Sequence, residues 1–226
     1  THSTSSAASD VYKRQVVRLS GMNIPIGDDD KPLIIKVASI PTAKLQVYFI
    51  DNEDYFKRKT VFNNKAGKFH KDNDERCLFF CKGVLETVIK LGWSPDIIHC
   101  NDWMSSLIPL LIKTSYSDRH IFENTKCIFS IYENSFKEKL DKKMIDKIVD
   151  EDIDKDMLSS LKSNDYSGLI KIASEYSDAI IRPDKDLNKS LEESISSISP
   201  KNKVHKIPEN EKSVESHYKL YNEILN

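Results

Sequence analysis

The run His99-Cys100-Asn101-Asp102-Trp103 places an imidazole, an amide, a carboxylate and an indole directly after the apolar stretch Pro95-Asp96-Ile97-Ile98. A polar cluster of this kind supplies hydrogen-bond donors and acceptors for a sugar or a phosphate, and Trp103 offers a flat apolar face. Each residue also has an ordinary structural use. Asp102 can cap a helix, His99 can be a core histidine satisfied by a backbone carbonyl, and Trp103 can pack. A second cluster, Tyr132-Glu133-Asn134, follows the apolar run Lys126 to Ile131 and reads equally as binding residues or as a solvated loop. Tyr55 and Phe56 could line the rim of a shared crevice, although Asp51-Asn52-Glu53-Asp54 is also a plain acidic turn. Cys77 and Cys81 lie four apart on an apolar helical face and read as core, not as metal ligands. No phosphate-binding glycine loop, dinucleotide fingerprint or zinc spacing is found, and six glycines in 226 residues leave little material for one.

The elements that must position these residues follow from hydrophobic period. Leu33 to Ile40 and Leu45 to Ile50 are rich in β-branched residues and only four residues apart, which predicts two strands joined as a hairpin. Residues 52 to 71 are charged and read as a long surface excursion with little structure of its own. Asp72 with Glu75 has the spacing of a capping box, and Cys77, Phe80, Cys81, Val84, Val88 and Leu91 recur at helical spacing up to Gly92. A strand at 97–100 is then followed by a helix from Trp103 to about Lys113, capped by Asn101 or Asp102. Lys126 to Ile131 and Ala179 to Ile181 read as further buried strands, with helices around Phe136 to Val149 and Leu169 to Tyr176. Short strands that are apolar throughout and separated by helices are expected in a parallel sheet, so the fold class is α/β, a Rossmann-like doubly wound sheet. Residues 183–226 form a charged helical tail whose last segment, Ser213 to Leu225, is an amphipathic helix able to dock on the sheet. In such a sheet ligands bind outside the carboxyl ends of the strands, which places 99–103 and 132–134 on one edge.

Composition sets the outer limits. Thirty-four basic against 35 acidic residues give a net charge of -1, with no global basic field for nucleic acid or anionic lipid. No apolar run approaches the ~20 residues of a membrane span, and no secretory segment opens the chain, which makes the cytoplasm the expected compartment. Four cysteines scattered through apolar segments agree with a reducing environment. Residues 1–15 are small, polar and aperiodic. Their ending, Ala7 to Gln15, resembles a translated adapter scar, so the expectation is that they stand outside the fold and that a natural N-terminus is missing.

The order of these residues carries a family resemblance. An apolar helix leading to Trp93, followed by Pro95-Asp96-Ile97-Ile98-His99-Cys100-Asn101-Asp102-Trp103, is similar to the P-D-[IV]-[IV]-H-x-H-D-W pattern of the glycogen and starch synthases, members of the GT-B glycosyltransferase superfamily. Val47 to Asp51, Cys127 to Ile131 and Lys171 to Ile181 resemble further family strands in the same order, over roughly residues 33 to 182. The resemblance implies transfer of glucose from ADP-glucose, or UDP-glucose in some members, to the non-reducing end of an α-1,4-glucan, with retention and with neither metal nor cofactor. It implies the N-terminal, acceptor-side half of a two-domain enzyme, a synthase-like α/β domain over 16–182. A partner would then supply the nucleotide-binding half. By position His99 and Asp102 are the catalytic residues, with Asn101, Trp103, Tyr132, Glu133 and Asn134 binding substrate. The pattern is broken where Asn101 replaces the second His and where Tyr132-Glu133 replace a His-Asn pair. The Lys-x-Gly-Gly-Leu loop of the family would precede Val16. These departures leave an alternative open, a catalytically degenerate domain that binds glucan or nucleotide sugar. A third reading is an interaction module acting through the charged C-terminal helices.

Overall fold

Alternating branched and polar residues ahead of Asn52 build an antiparallel meander. The computed structural model describes residues 17–132, 136–197, 203–208, 210 and 213–226. Strands β1 (Val17–Ile26), β2 (Asp29–Ile40) and β3 (Leu45–Asp51) form one three-stranded sheet in that order. The β2–β3 hairpin pairs Ile40 with Leu45, and Lys44 takes a left-handed φ of 50° to close the turn. Strand β1 was not legible in the sequence, because Gly21, Asn23 and Pro25 interrupt its apolar pattern. It forms because β2 offers a full ladder, reached through a two-residue turn whose first residue, Gly27, has φ 58°. The excursion at 52–71 also holds more structure than expected, in the short helix α1 (Glu53–Phe56). Asn52 caps it by accepting from the Tyr55 N–H at 3.0 Å, while its own amide donates to the Pro32 carbonyl at 2.8 Å. Tyr55 is consequently buried and not a rim residue. A hollow of about 390 Å³, lined by Lys36, Phe49, Asp51, Glu53, Phe56 and Lys57, opens in this part of the chain.

The chain divides between Lys68 and Phe69 into two units, and the second holds the parallel sheet. It begins with α2 (Asn73–Leu91), whose buried stripe runs through Cys77, Cys81, Leu85 and Val88. Phe80 and Val84, assigned by spacing to the same face, are half-buried. Gly92 ends the helix at φ 71°, donating to the Val88 and Ile89 carbonyls. The expected capping box is not made. Asp72 stands at the N-cap with φ -98° and ψ 19°, outside the extended region from which a side chain caps, and makes no capping bond. The acidic first turn is instead tied to Lys147, which lies 2.7 Å from Asp74 and 2.8 Å from Glu75.

Strands β4 (Ile97–Asn101), β5 (Lys126–Ser130), β6 (Ala179–Pro183) and β7 (Val204–Ile207) are parallel and lie in the order β4-β5-β6-β7. Ile128 and Phe129 are adjacent, point to opposite faces and are both 0 % exposed, so the sheet is covered on both sides. The helix expected from Trp103 to Lys113 is broken into a 3₁₀ turn, Trp103–Ser105, and α3 (Ile108–Lys113). Pro109 has no N–H to continue a helix and suits only a first turn, which explains the restart. The helix expected at 136–149 shrinks to α4 (Met144–Ile148). Before it, Asp141 accepts from the Lys143 and Met144 N–H groups, making a local turn that competes with helix. Helix α5 (Tyr166–Tyr176) packs against β5 and α3, and α6 (Lys189–Ser196) follows β6.

The tail is more than helical, since it contributes β7 to the sheet. Its last helix, α7 (Ser213–Leu225), does dock. Leu220 joins Ile128, Ala179, Ile181 and Ile207 in one cluster, flanked by Ile97, Tyr221 and Ile224. No described helix is long and apolar enough to cross a membrane.

Backbone packs closely against α5 at its first turn. A Cβ added to Gly168 would lie 2.6 Å from the Ser160 carbonyl oxygen and 2.7 Å from Ser163 Oγ. Gly168→Ala is therefore expected to destabilise by about 1–3 kcal/mol, although alanine is the better helix former by ~1 kcal/mol. Urea unfolding of the two proteins checks this, and an alanine protein of equal or greater stability contradicts the close approach.

Candidate active site

The carboxyl end of β4 delivers Asn101 and Asp102 to the edge where ligands of α/β sheets bind. Asp102 has φ 60° and ψ -179°, a backbone region almost confined to glycine and costing a side-chain-bearing residue about 1–3 kcal/mol. Its surroundings hold it there. Its N–H donates to the Ser130 carbonyl at 3.0 Å, and its own carbonyl accepts from the Ser105 N–H at 3.1 Å. The Ser105 hydroxyl lies 2.9 Å from the carbonyls of both Asn101 and Asp102. Carboxylate oxygen Oδ1 accepts from the Trp103 N–H at 2.8 Å and from the Tyr166 hydroxyl at 3.0 Å. Strain retained by five converging contacts marks a residue whose position matters more than its comfort.

The turn after Asp102 is fastened from behind by α2. The Cys77 thiol donates to the Trp103 carbonyl at 3.4 Å and the Cys81 thiol to the Met104 carbonyl at 3.3 Å. Both cysteines are buried, as the sequence indicated, and burial pushes the Cys81 thiol well up. Among the described residues no group of His, Cys, Asp or Glu is arranged to hold a metal.

The other expected site residues fare differently. Asn101 is exposed and Tyr132 is 37 % exposed, and the two meet, the Tyr132 hydroxyl donating to Asn101 Oδ1 at 3.0 Å. Trp103 is a correction. It is 1 % exposed, with its ring against Phe136 and Phe69 at centroid distances of 5.1 and 6.3 Å, so it packs and presents no face to a ligand. Glu133 and Asn134 lie outside the described residues. His99 turns from the edge toward α7, with Nδ1 2.6 Å from the Tyr221 hydroxyl and Nε2 2.6 Å from Ser130 Oγ. Burial first, and the neighbouring His217 ring second, push its pKa down to about 4, so the imidazole is neutral at physiological pH.

Residues that sequence reasoning missed complete the edge. Tyr166, the first residue of α5 after its cap Asp165, places its hydroxyl between Asp102 and the Tyr132 carbonyl. It also borders an open hollow of about 370 Å³, shared with Lys137, Lys139, Ser167, Asn188 and Ser190. Arg182, buried at the end of β6, grips both oxygens of Glu192 at 2.8 and 2.6 Å and so fixes α6 against the strand end. Ser130 is the readable signal among them, a hydroxyl that directly follows the apolar run Cys127-Ile128-Phe129.

The sequence profile of the starch synthase catalytic domain matches residues 4–192, which is most of the chain. The chain belongs to the starch synthase catalytic domain family. A glycogen synthase of Chlorobium luteolum is 45 % identical over 124 residues, covering 54 % of this chain and 25 % of that protein. A glycogen synthase of Chlorobaculum parvum is 40 % identical over 133 residues, covering 57 % and 27 %. This member of the family thus aligns with about a quarter of the length of its curated relatives. The catalytic domain of starch synthase IV from Arabidopsis thaliana, bound to ADP and acarbose, superposes with a TM-score of 0.63 over 86 % of this chain and 41 % of that one. At 17 % identity that likeness establishes a shared fold. The α/β architecture expected of a synthase N-terminal half is therefore the one present.

Proposed function

We propose that the chain is the acceptor-side half of a retaining glucosyltransferase that moves glucose from ADP-glucose to an α-1,4-glucan in the cytoplasm, completed by a nucleotide-binding half. The observation that carries this reading is Asp102, a carboxylate held at a strand end in a backbone conformation that only its neighbours stabilise. Departure of a nucleoside diphosphate leaves positive charge on the sugar, and a fixed carboxylate with oriented hydroxyls can meet that charge and the sugar hydroxyls without reorganising. The polar hollow beside Tyr166 supports an acceptor rich in hydroxyl groups. The nucleotide half would supply the cations and backbone donors for the departing diphosphate. Incorporation of labelled glucose from ADP-glucose into glycogen by the complete gene product, with and without added cell extract, tests the proposal, and counts no higher than a buffer blank reject it.

One contact favours a second reading, a domain that binds glucan without turning it over. The Tyr132–Asn101 bond joins the two positions where the family pattern has histidines, and it occupies both side chains with each other. Retarded migration in glycogen-containing gels without glucose transfer is the expected result of that reading, and unchanged mobility removes it.

A further inference from the structure

Helix α7 docks through the apolar side chains of Leu220 and Ile224. It also makes one polar contact across the sheet face, between the Tyr221 hydroxyl and Nδ1 of His99 at 2.6 Å. The far side of the same ring meets Ser130 Oγ at 2.6 Å, and Ser130 is the residue whose carbonyl accepts the Asp102 N–H at 3.0 Å. A continuous line of contacts therefore runs from the last helix to the strained residue. A neutral imidazole has one donor and one acceptor nitrogen, and which is which follows from its partners. A phenol is a stronger acid than an aliphatic alcohol, so Tyr221 is the better donor of the two hydroxyls. Nδ1 then accepts from Tyr221, and the proton sits on Nε2 and is donated to Ser130.

We infer that Tyr221 is a positioning residue for this site, fixing the tautomer of His99 and, through it, the end of β5 that holds Asp102. The catalytic consequence rests on the glucosyl-transfer reading, whereas the tautomer does not. The contact lies beside the apolar packing of Leu220 and Ile224 and beside the His217 ring, 5.8 Å from that of His99, and it reaches the candidate motif at its first residue, His99, and, through the imidazole, the strand next to it. Removing the hydroxyl alone leaves the ring, and hence the docking, in place.

The experiment is a long-range proton–nitrogen correlation spectrum of the ¹⁵N-labelled chain at neutral pH, recorded for wild type, Tyr221→Phe and Ser130→Ala. Wild type is expected to show His99 protonated on Nε2 alone. Ser130→Ala is expected to keep that form, because Tyr221 still donates, and Tyr221→Phe to lose it, giving the other tautomer or a mixture with the melting temperature little changed. In the complete gene product Tyr221→Phe is expected to lower kcat about tenfold with KM for ADP-glucose within twofold. A wild-type proton on Nδ1, or an Nε2 form that survives in Tyr221→Phe, overturns the inference. A shifted tautomer with unchanged kcat in an active enzyme overturns the positioning role. If the tautomers behave as stated while wild type transfers no glucose, the transfer reading falls and the relay stands.

Discussion

On the glucosyl-transfer reading, Asp102→Asn in the complete gene product is expected to transfer glucose at least about a hundredfold more slowly than wild type while melting within a few degrees of it. Asparagine keeps an oxygen where Oδ1 accepts from the Trp103 N–H and the Tyr166 hydroxyl, and it is the same size and shape as the aspartate it replaces, so the backbone cost at this position is unchanged. The fold therefore loses little. What disappears is the negative charge, held at the strand end by the contacts from Trp103, Tyr166, Ser130 and Ser105. Asp102→Gly separates the two contributions further. It relaxes the φ 60° backbone and deletes the acceptor, so stability gained in one place is offset by the lost bonds, and transfer fails. Initial rates of labelled-glucose incorporation beside thermal melts provide the measurement. An asparagine protein with half of wild-type activity would remove Asp102 from the chemistry.

The largest stability effect is expected from Lys147→Ala. The Asp74 side chain is fully buried and Lys147, on α4, is its cation, with Glu75 as a second and more exposed partner. Deleting one member of a buried pair leaves an uncompensated charge and typically costs about 3–5 kcal/mol, or roughly 10 °C in a chain of this size. The pH dependence has a definite sign. Burial pushes the Asp74 carboxyl up from its ordinary value, against the pull of Lys147, so the folded state takes up a proton more readily than the unfolded chain. Stability from that group is gained as pH falls through the raised value toward 3.8. Without Lys147 the opposing pull is gone, and the deficit of the variant is expected to be widest at neutral pH and to narrow in mild acid. In wild type the Lys147 ammonium is itself held up by its two carboxylates. Its contribution is complete below 10.5 and is lost as pH rises through the higher folded value. Urea unfolding of both proteins at neutral pH and in mild acid measures this, and a deficit that widens in acid contradicts the assignment.

Much of the second unit could be read before any coordinates, because its elements are strongly patterned. The stripe of α2 ending at Gly92 and the apolar strands at 97–101, 126–130 and 179–183 are decided by local spacing. Strand β7 is only four residues with a histidine and a lysine inside it, and it exists because β6 supplies a ladder. Strand β1 is the same case at greater length. The site divides along the same line. His99, Asn101, Asp102 and Tyr132 stand out as polar residues at strand ends. Their partners do not, since Ser130 meets His99 from 31 residues away, Tyr166 meets Asp102 from 64, and Tyr221 meets His99 from 122. Trp103 is buried against Phe69 and Phe136, because a motif states which residue is present and not which rings will close over it.

The order β4-β5-β6-β7 makes β4 a margin of the parallel sheet among the described residues. Among the described residues, the strand that carries His99 and Asn101 has a lateral neighbour, β5, on one side. A margin strand is where a sheet can be lengthened by backbone pairing with another segment, or recruited wrongly into self-association. The residues that would sense such an addition first are those of the motif itself.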